Sequence, residues 1–153
     1  MPRAMSPILI PLEPQARFED LIHARASVTF DLEGTGRPRK WGWITRKSAW
    51  LVYLNKRQTV DSGLQMMGAV TFWIFWKNGY EALSALDSNG DGWLRGNELN
   101  SLALWRDDGD GVCLPGEVVR LDKLGIVGLS CRWRQHAGNF PYSPGGVEYR
   151  DAL

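Results

Sequence analysis

Apolar and polar positions alternate over residues 27–32, where Val28 and Phe30 are separated by polar neighbours, and this period of two predicts a strand. Residues 41–44 and 49–54 predict two more strands, joined as a hairpin by the basic turn Thr45-Arg46-Lys47-Ser48. From residue 78 the period lengthens. Tyr80, Leu83 and Leu86 fall three apart and predict a short helix over 80–86. Leu99, Leu102 and Trp105 predict a second over 98–105. Val118, Leu121 and Leu124 predict a third over 117–124, stopped by Gly125 in a C-terminal glycine position. Residues 126–133 alternate enough for a strand, 139–146 read as a loop, and 147–150 as a last short strand. Residues 66–76 are apolar almost all round, which fits a buried helix. A buried strand over 70–76 competes, because Val70, Thr71, Phe72, Trp73 and Ile74 favour β structure.

Between the first two predicted helices lies Asp87-Ser88-Asn89-Gly90-Asp91-Gly92-Trp93-Leu94-Arg95-Gly96-Asn97-Glu98, which fits D-x-[DN]-x-[DN]-G-x5-E at every specified position. The spacing suits a hard divalent cation, which takes six to eight oxygens that a tight loop aims at one point. Asp87, Asn89 and Asp91 would supply side-chain oxygens, Gly92 a sharp turn at positive φ, Trp93 its carbonyl, and Glu98 both carboxylate oxygens. A solvated turn explains the D/N/G composition but not the Glu at position 12 or the apolar Leu94 at position 8. Arg95 at position 9, a cation beside a cation site, argues for modest affinity.

A second loop, residues 106–117, follows between the second and third predicted helices. Counting back from Glu117, Asp110 and Asp108 take positions 5 and 3, but position 1 is Arg106, with Asp107 one place late. Asp107, Asp108, Asp110 and Glu117 thus remain near the right places in a shortened loop, and calcium binding there, weaker than in the first loop, is left open. Upstream, 31–36 is a worn D-x-D-x-D-G run whose position 12 would be Gly42, so it reads as a structural turn. Residues 54–65 have the length of such a loop, but Leu54 and Lys56 stand where oxygens are needed.

Charge sharpens this picture. Residues 81–122 hold nine Asp and Glu against three Arg, a net −6, so the rest of the chain carries +7 to reach the overall +1. The basic residues are dispersed, and no recognition helix, RNP-type motif or zinc pattern accompanies them, which argues against nucleic acid. Cys113 and Cys131 match no metal spacing; pairing after export and two unpaired small core residues both remain open, the second preferred. The run Ile8-Leu9-Ile10 is too short for a signal peptide, with prolines at 2, 7, 11 and 14. The region 64–76 falls short of the ~20 apolar residues that span a bilayer. With 153 residues, the chain reads as an extended arm over 1–26 and one domain over 27–153.

The runs Asn78-Gly79-Tyr80-Glu81-Ala82-Leu83-Ser84-Ala85-Leu86-Asp87-Ser88-Asn89-Gly90-Asp91-Gly92, Leu104-Trp105-Arg106-Asp107, Pro115-Gly116-Glu117 and Leu124-Gly125-Ile126 together resemble bacterial EF-hand proteins related to repeats-in-toxin-associated calcium-binding proteins. The resemblance is specific over 78–126. It implies calcium binding by paired hands and an extracytoplasmic setting, and implies no catalytic activity. The expected fold is therefore α+β, with a paired EF-hand-like helix-loop-helix unit at 78–126 packed on a small antiparallel sheet. The expected function is calcium (Ca2+) binding in a structural or regulatory role. A calcium-stapled module for a protein or glycan partner is the alternative. A carboxylate-dependent glycan hydrolase, with tryptophans stacking on sugars, ranks below both, and His23 and His136 sit in unpromising context for catalysis.

Overall fold

The structure is a computed structural model that describes residues 7–12, 17–54, 59–68, 78–135, 141–144 and 146–150. Its strands in chain order are β1 (Leu9–Pro11), β2 (Ile22–Phe30), β3 (Arg39–Ile44), β4 (Ser48–Tyr53), β5 (Trp93–Arg95), β6 (Leu102–Trp105), β7 (Val118–Arg120), β8 (Ile126–Ser130), β9 (Arg134–Gln135), β10 (Pro141–Tyr142) and β11 (Val147–Tyr149). Among the described residues there are two short α-helices, α1 (Phe18–Leu21) and α2 (Gly79–Ser84). The strands form a four-stranded sheet in the order β1-β4-β6-β7, a three-stranded sheet β11-β8-β5, and the ribbons β2-β3 and β9-β10, with every named pairing antiparallel.

This overturns the expected α+β architecture with a helix-loop-helix pair. The first of the three expected helices exists as α2, where the Asn78 side chain accepts from the backbone N–H groups of Tyr80 and Glu81 and so caps it. The other two do not. Residues 96–99 make a single 3-10 turn and the chain then extends into β6; residues 118–120 are β7, followed by another 3-10 turn over 121–124. Gly125 does end that turn in the left-handed region, at φ 74°.

For residues 102–105 the reason for the misread helix is burial on both faces. In β4 and β6, Ala49, Leu51, Leu102 and Leu104 point into one core with Met67, Ala82, Leu83, Leu94, Leu121 and Leu129. Trp50, Val52, Ala103 and Trp105 point the other way, into a second core with Val28, Phe30, Trp43 and Met66. A strand covered on both faces loses its alternation and reads as a continuous apolar run. The accidental three-residue spacing of Leu99, Leu102 and Trp105 then resembled a helical stripe.

The expected hairpin of 41–44 with 49–54 is also corrected. Both strands are present, but β3 pairs with β2 while β4 pairs with β1 and β6. The turn between them, closed by Ser48 N–H on the Thr45 carbonyl at 3.3 Å, sends the chain from one sheet to another. The N-terminal segment contributes more than an extended arm would: Ile8 and Ile10 are buried, and β1 covers one edge of the four-stranded sheet. The competing helix and strand readings of 66–76 fall largely outside the described residues; Met66 and Met67, which are described, are fully buried. No helix among the described residues is long and apolar enough to cross a membrane.

Candidate metal centre

β6 and β7 are neighbours with Trp105 opposite Val118, and the Arg106 N–H donates to the Glu117 carbonyl at 2.8 Å, so residues 106–117 form the closed loop of a β-hairpin. Strand pairing, rather than helix packing, therefore brings Asp107 and Glu117 across the loop neck. Within the loop, oxygens from Asp107, Asp108, Asp110 and Glu117 all lie within 4.8 Å of one another. Among the described residues no other such group forms.

Asp107 is the anchor. It is 3% exposed, and its Oδ2 accepts from three donors: Trp43 Nε1 at 2.6 Å, Gly111 N–H at 2.8 Å and Gly109 N–H at 3.2 Å. Its Oδ1 is buried, and no donor among the described residues reaches it. Burial raises the Asp107 carboxyl to about 6 from an ordinary 3.8, against the lowering influence of the Gly111 N–H. Glu117 is held similarly: its Oε1 accepts from Leu114 N–H at 3.0 Å and from Trp105 Nε1 at 3.2 Å. The exposed pair Asp108 and Asp110 titrate together. Asp110 is pushed down, chiefly by the Val112 N–H, and Asp108 is pushed up, chiefly by its interaction with Asp110.

The 87–98 loop has related local geometry without the same convergence. Asp87 accepts from the N–H groups of Gly90 and Gly92, Asn89 from Asp91 N–H, and Asp91 from Trp93 N–H. The 106–117 loop repeats this with one residue fewer: Asp107 accepts from Gly109 and Gly111, Asp108 from Asp110, and Asp110 from Val112. Gly92 and Gly111 take the turns at φ 84° and 73°. Glu98 is used by the backbone, accepting from Ser88 N–H at 2.7 Å and Arg95 N–H at 3.2 Å; the Arg95 N–H leads in holding its carboxyl below the usual range. Trp93 begins β5, and Arg95 pairs with Glu148 through two bonds, at 3.2 and 3.1 Å, with its guanidinium over the Trp93 ring. The upstream run at 31–36 is a turn, in which Asp31 accepts from Thr35 and Gly36 N–H.

Sequence reading missed Trp43 and Trp105 at the site. Trp43 lies 64 residues from Asp107, on a strand with no local sign of metal chemistry. Trp105 adjoins the loop but read as part of a helical stripe. Both are buried, as is Trp50, so these rings are not platforms for a sugar. Cys113 and Cys131 are free thiols.

Comparison with known proteins corrects the expected kinship. Residues 19–147 match the family model described as the SPM domain, not an EF-hand family, in keeping with the strands that replace two of the three expected helices. A curated relative, the iron-regulated protein FrpA of Neisseria meningitidis serogroup C, is 32% identical over 116 residues. The aligned part is 71% of this chain and 10% of that protein, so the chain spans about a tenth of the relative's length.

Proposed function

The chain belongs to the SPM domain family, and from that premise we propose that it binds a divalent cation, calcium, through Asp107, Asp108, Asp110 and Glu117. The observation that carries this reading is the buried Asp107 carboxylate, with one oxygen held by three donors and the other without any, inside a group of four carboxylates. An unpaired buried charge is costly, and a cation against Oδ1 removes that cost. An all-carboxylate donor set is hard and suits calcium or magnesium over softer metals. Oxygens no more than 4.8 Å apart fit a shell of calcium–oxygen distances of about 2.4 Å.

The role we assign is structural or regulatory. The loop bridges β6 and β7 and reaches β3 through Trp43, so an ion there would order the junction of two sheets. Asp87, Asn89, Asp91, the Trp93 carbonyl and Glu98 form a second, weaker candidate site, supported by the shared turn geometry. The alternative of a calcium-stapled module for a protein partner draws on Val112 and Leu114, which are 54% and 44% exposed on the same loop as the carboxylates.

Calcium titration by calorimetry tests the reading. Wild type should bind, Asp107→Asn should lose the tighter event, and Glu98→Gln should affect only a weaker one. Heat unchanged by Asp107→Asn, or no binding up to millimolar calcium, would sink the 107–117 assignment.

A further inference from the structure

Asp107 and Glu117, at the two ends of the loop, are each tied to the same aromatic block. Trp43 Nε1 donates to Asp107 and Trp105 Nε1 to Glu117. The two indoles meet edge-on, with centroids 5.8 Å apart and planes at 75°, and both pack on Phe30 at 5.4 Å. Trp43 is 2% exposed and Trp105 fully buried, so the block has little freedom to move. In both carboxylates the indole binds an oxygen that also accepts a backbone N–H, Oδ2 in Asp107 and Oε1 in Glu117. The other Asp107 oxygen, Oδ1, is buried without a donor among the described residues and is left for a ligand.

On the reading that the 107–117 loop holds the cation, we propose that Trp43 and Trp105 are positioning residues of that site, their indole N–H groups fixing the rotation of Asp107 and Glu117 and the separation of the two ligands. Each indole does for a carboxylate what an outer hydrogen-bond partner does for a metal ligand generally, and loss of such a partner weakens binding by roughly tenfold to a hundredfold. Trp43 stands on β3 and Trp105 on β6, so the distance between the two ligands depends on how the β2-β3 ribbon sits against the four-stranded sheet.

Trp50 supplies the control. It packs against Trp43 in the same cluster, with centroids 5.4 Å apart and planes at 69°, but its Nε1 is buried with no acceptor among the described residues. Trp43→Phe, Trp105→Phe and Trp50→Phe each remove one fused ring from one core; only the first two remove a hydrogen bond to a carboxylate. Calcium affinity of the whole chain is measured by calorimetry, and cation-free stability by urea unfolding in chelator. The expected result is a loss of roughly tenfold or more in affinity for Trp43→Phe and for Trp105→Phe, with Trp50→Phe within about twofold of wild type. Should Trp43→Phe fail to fold, the comparison of Trp105→Phe with Trp50→Phe decides alone. Equal affinities in all three variants, alongside lowered cation-free stability, would reduce the indoles to packing and overturn the inference while leaving the site assignment intact. Absence of calcium binding by wild type would overturn both.

Discussion

A buried carboxylate that holds its proton up to a pH of about 6 imposes a sign on stability. In the unfolded chain Asp107 ionises at its ordinary 3.8, so between about pH 4 and about pH 6 the native state binds more protons than the unfolded one. Stability therefore falls as pH rises through that window in cation-free protein. The contribution of the neutral carboxyl is fully present below the unfolded value and is gone once the folded group has ionised. Urea midpoints in chelator across this range should drop with rising pH in wild type relative to Asp107→Asn, which has no proton to lose. Added calcium should flatten or reverse the difference, because an ion against Oδ1 favours the ionised form. A flat difference in chelator would mean that Asp107 is better solvated than its 3% exposure implies.

At the scale of elements, the two turn glycines make a paired experiment. Gly92 and Gly111 both need positive φ, so alanine at either carries backbone strain of about 1 kcal/mol or more. They differ in what a Cβ would meet. At Gly92 it would come within 2.4 Å of Arg132 Nε, near the far end of a flexible side chain that can swing aside. At Gly111 it would come within 2.1 Å of Val28 Cγ1 on β2, a stiff β-branched side chain packed in a core. Gly111→Ala should therefore be the more destabilising by about 1–2 kcal/mol in urea unfolding, and should undock the loop from β2. Equal costs would mean that the loop and the β2-β3 ribbon adjust together.

The same elements show what was legible in the sequence. Alternation marked β2, and β-branched and aromatic runs marked β3 and β4, because those signals are local. Partner choice was not legible: a four-residue turn looks the same whether it folds two strands together or hands the chain to another sheet. Residues 102–105 were misread because a strand buried on both faces carries no period-two signal, and 118–120 because a half-buried run of three residues is too short to show one, which let chance spacing decide. At the candidate site, the acidic spacing of 106–117 was plain, down to the residue missing between Asp107 and Asp108. The gathering of those carboxylates was not, since it depends on β6 pairing with β7 and on an indole from β3.

At the scale of the whole molecule, the β4 and β6 side chains are divided between two cores, with Leu51 and Leu104 in one and Val52 and Trp105 in the other. Neither core can be dissolved while the other stays intact, because the strands that line the first are the wall of the second. Among the described residues there is thus no seam between these two cores along which they would melt separately. Calorimetric and van't Hoff enthalpies should agree in a single thermal transition, and amides in Leu51, Val52, Ala103 and Leu104 should exchange with solvent only on complete unfolding. Two hydrophobic interiors among the described residues would then behave, thermodynamically, as one.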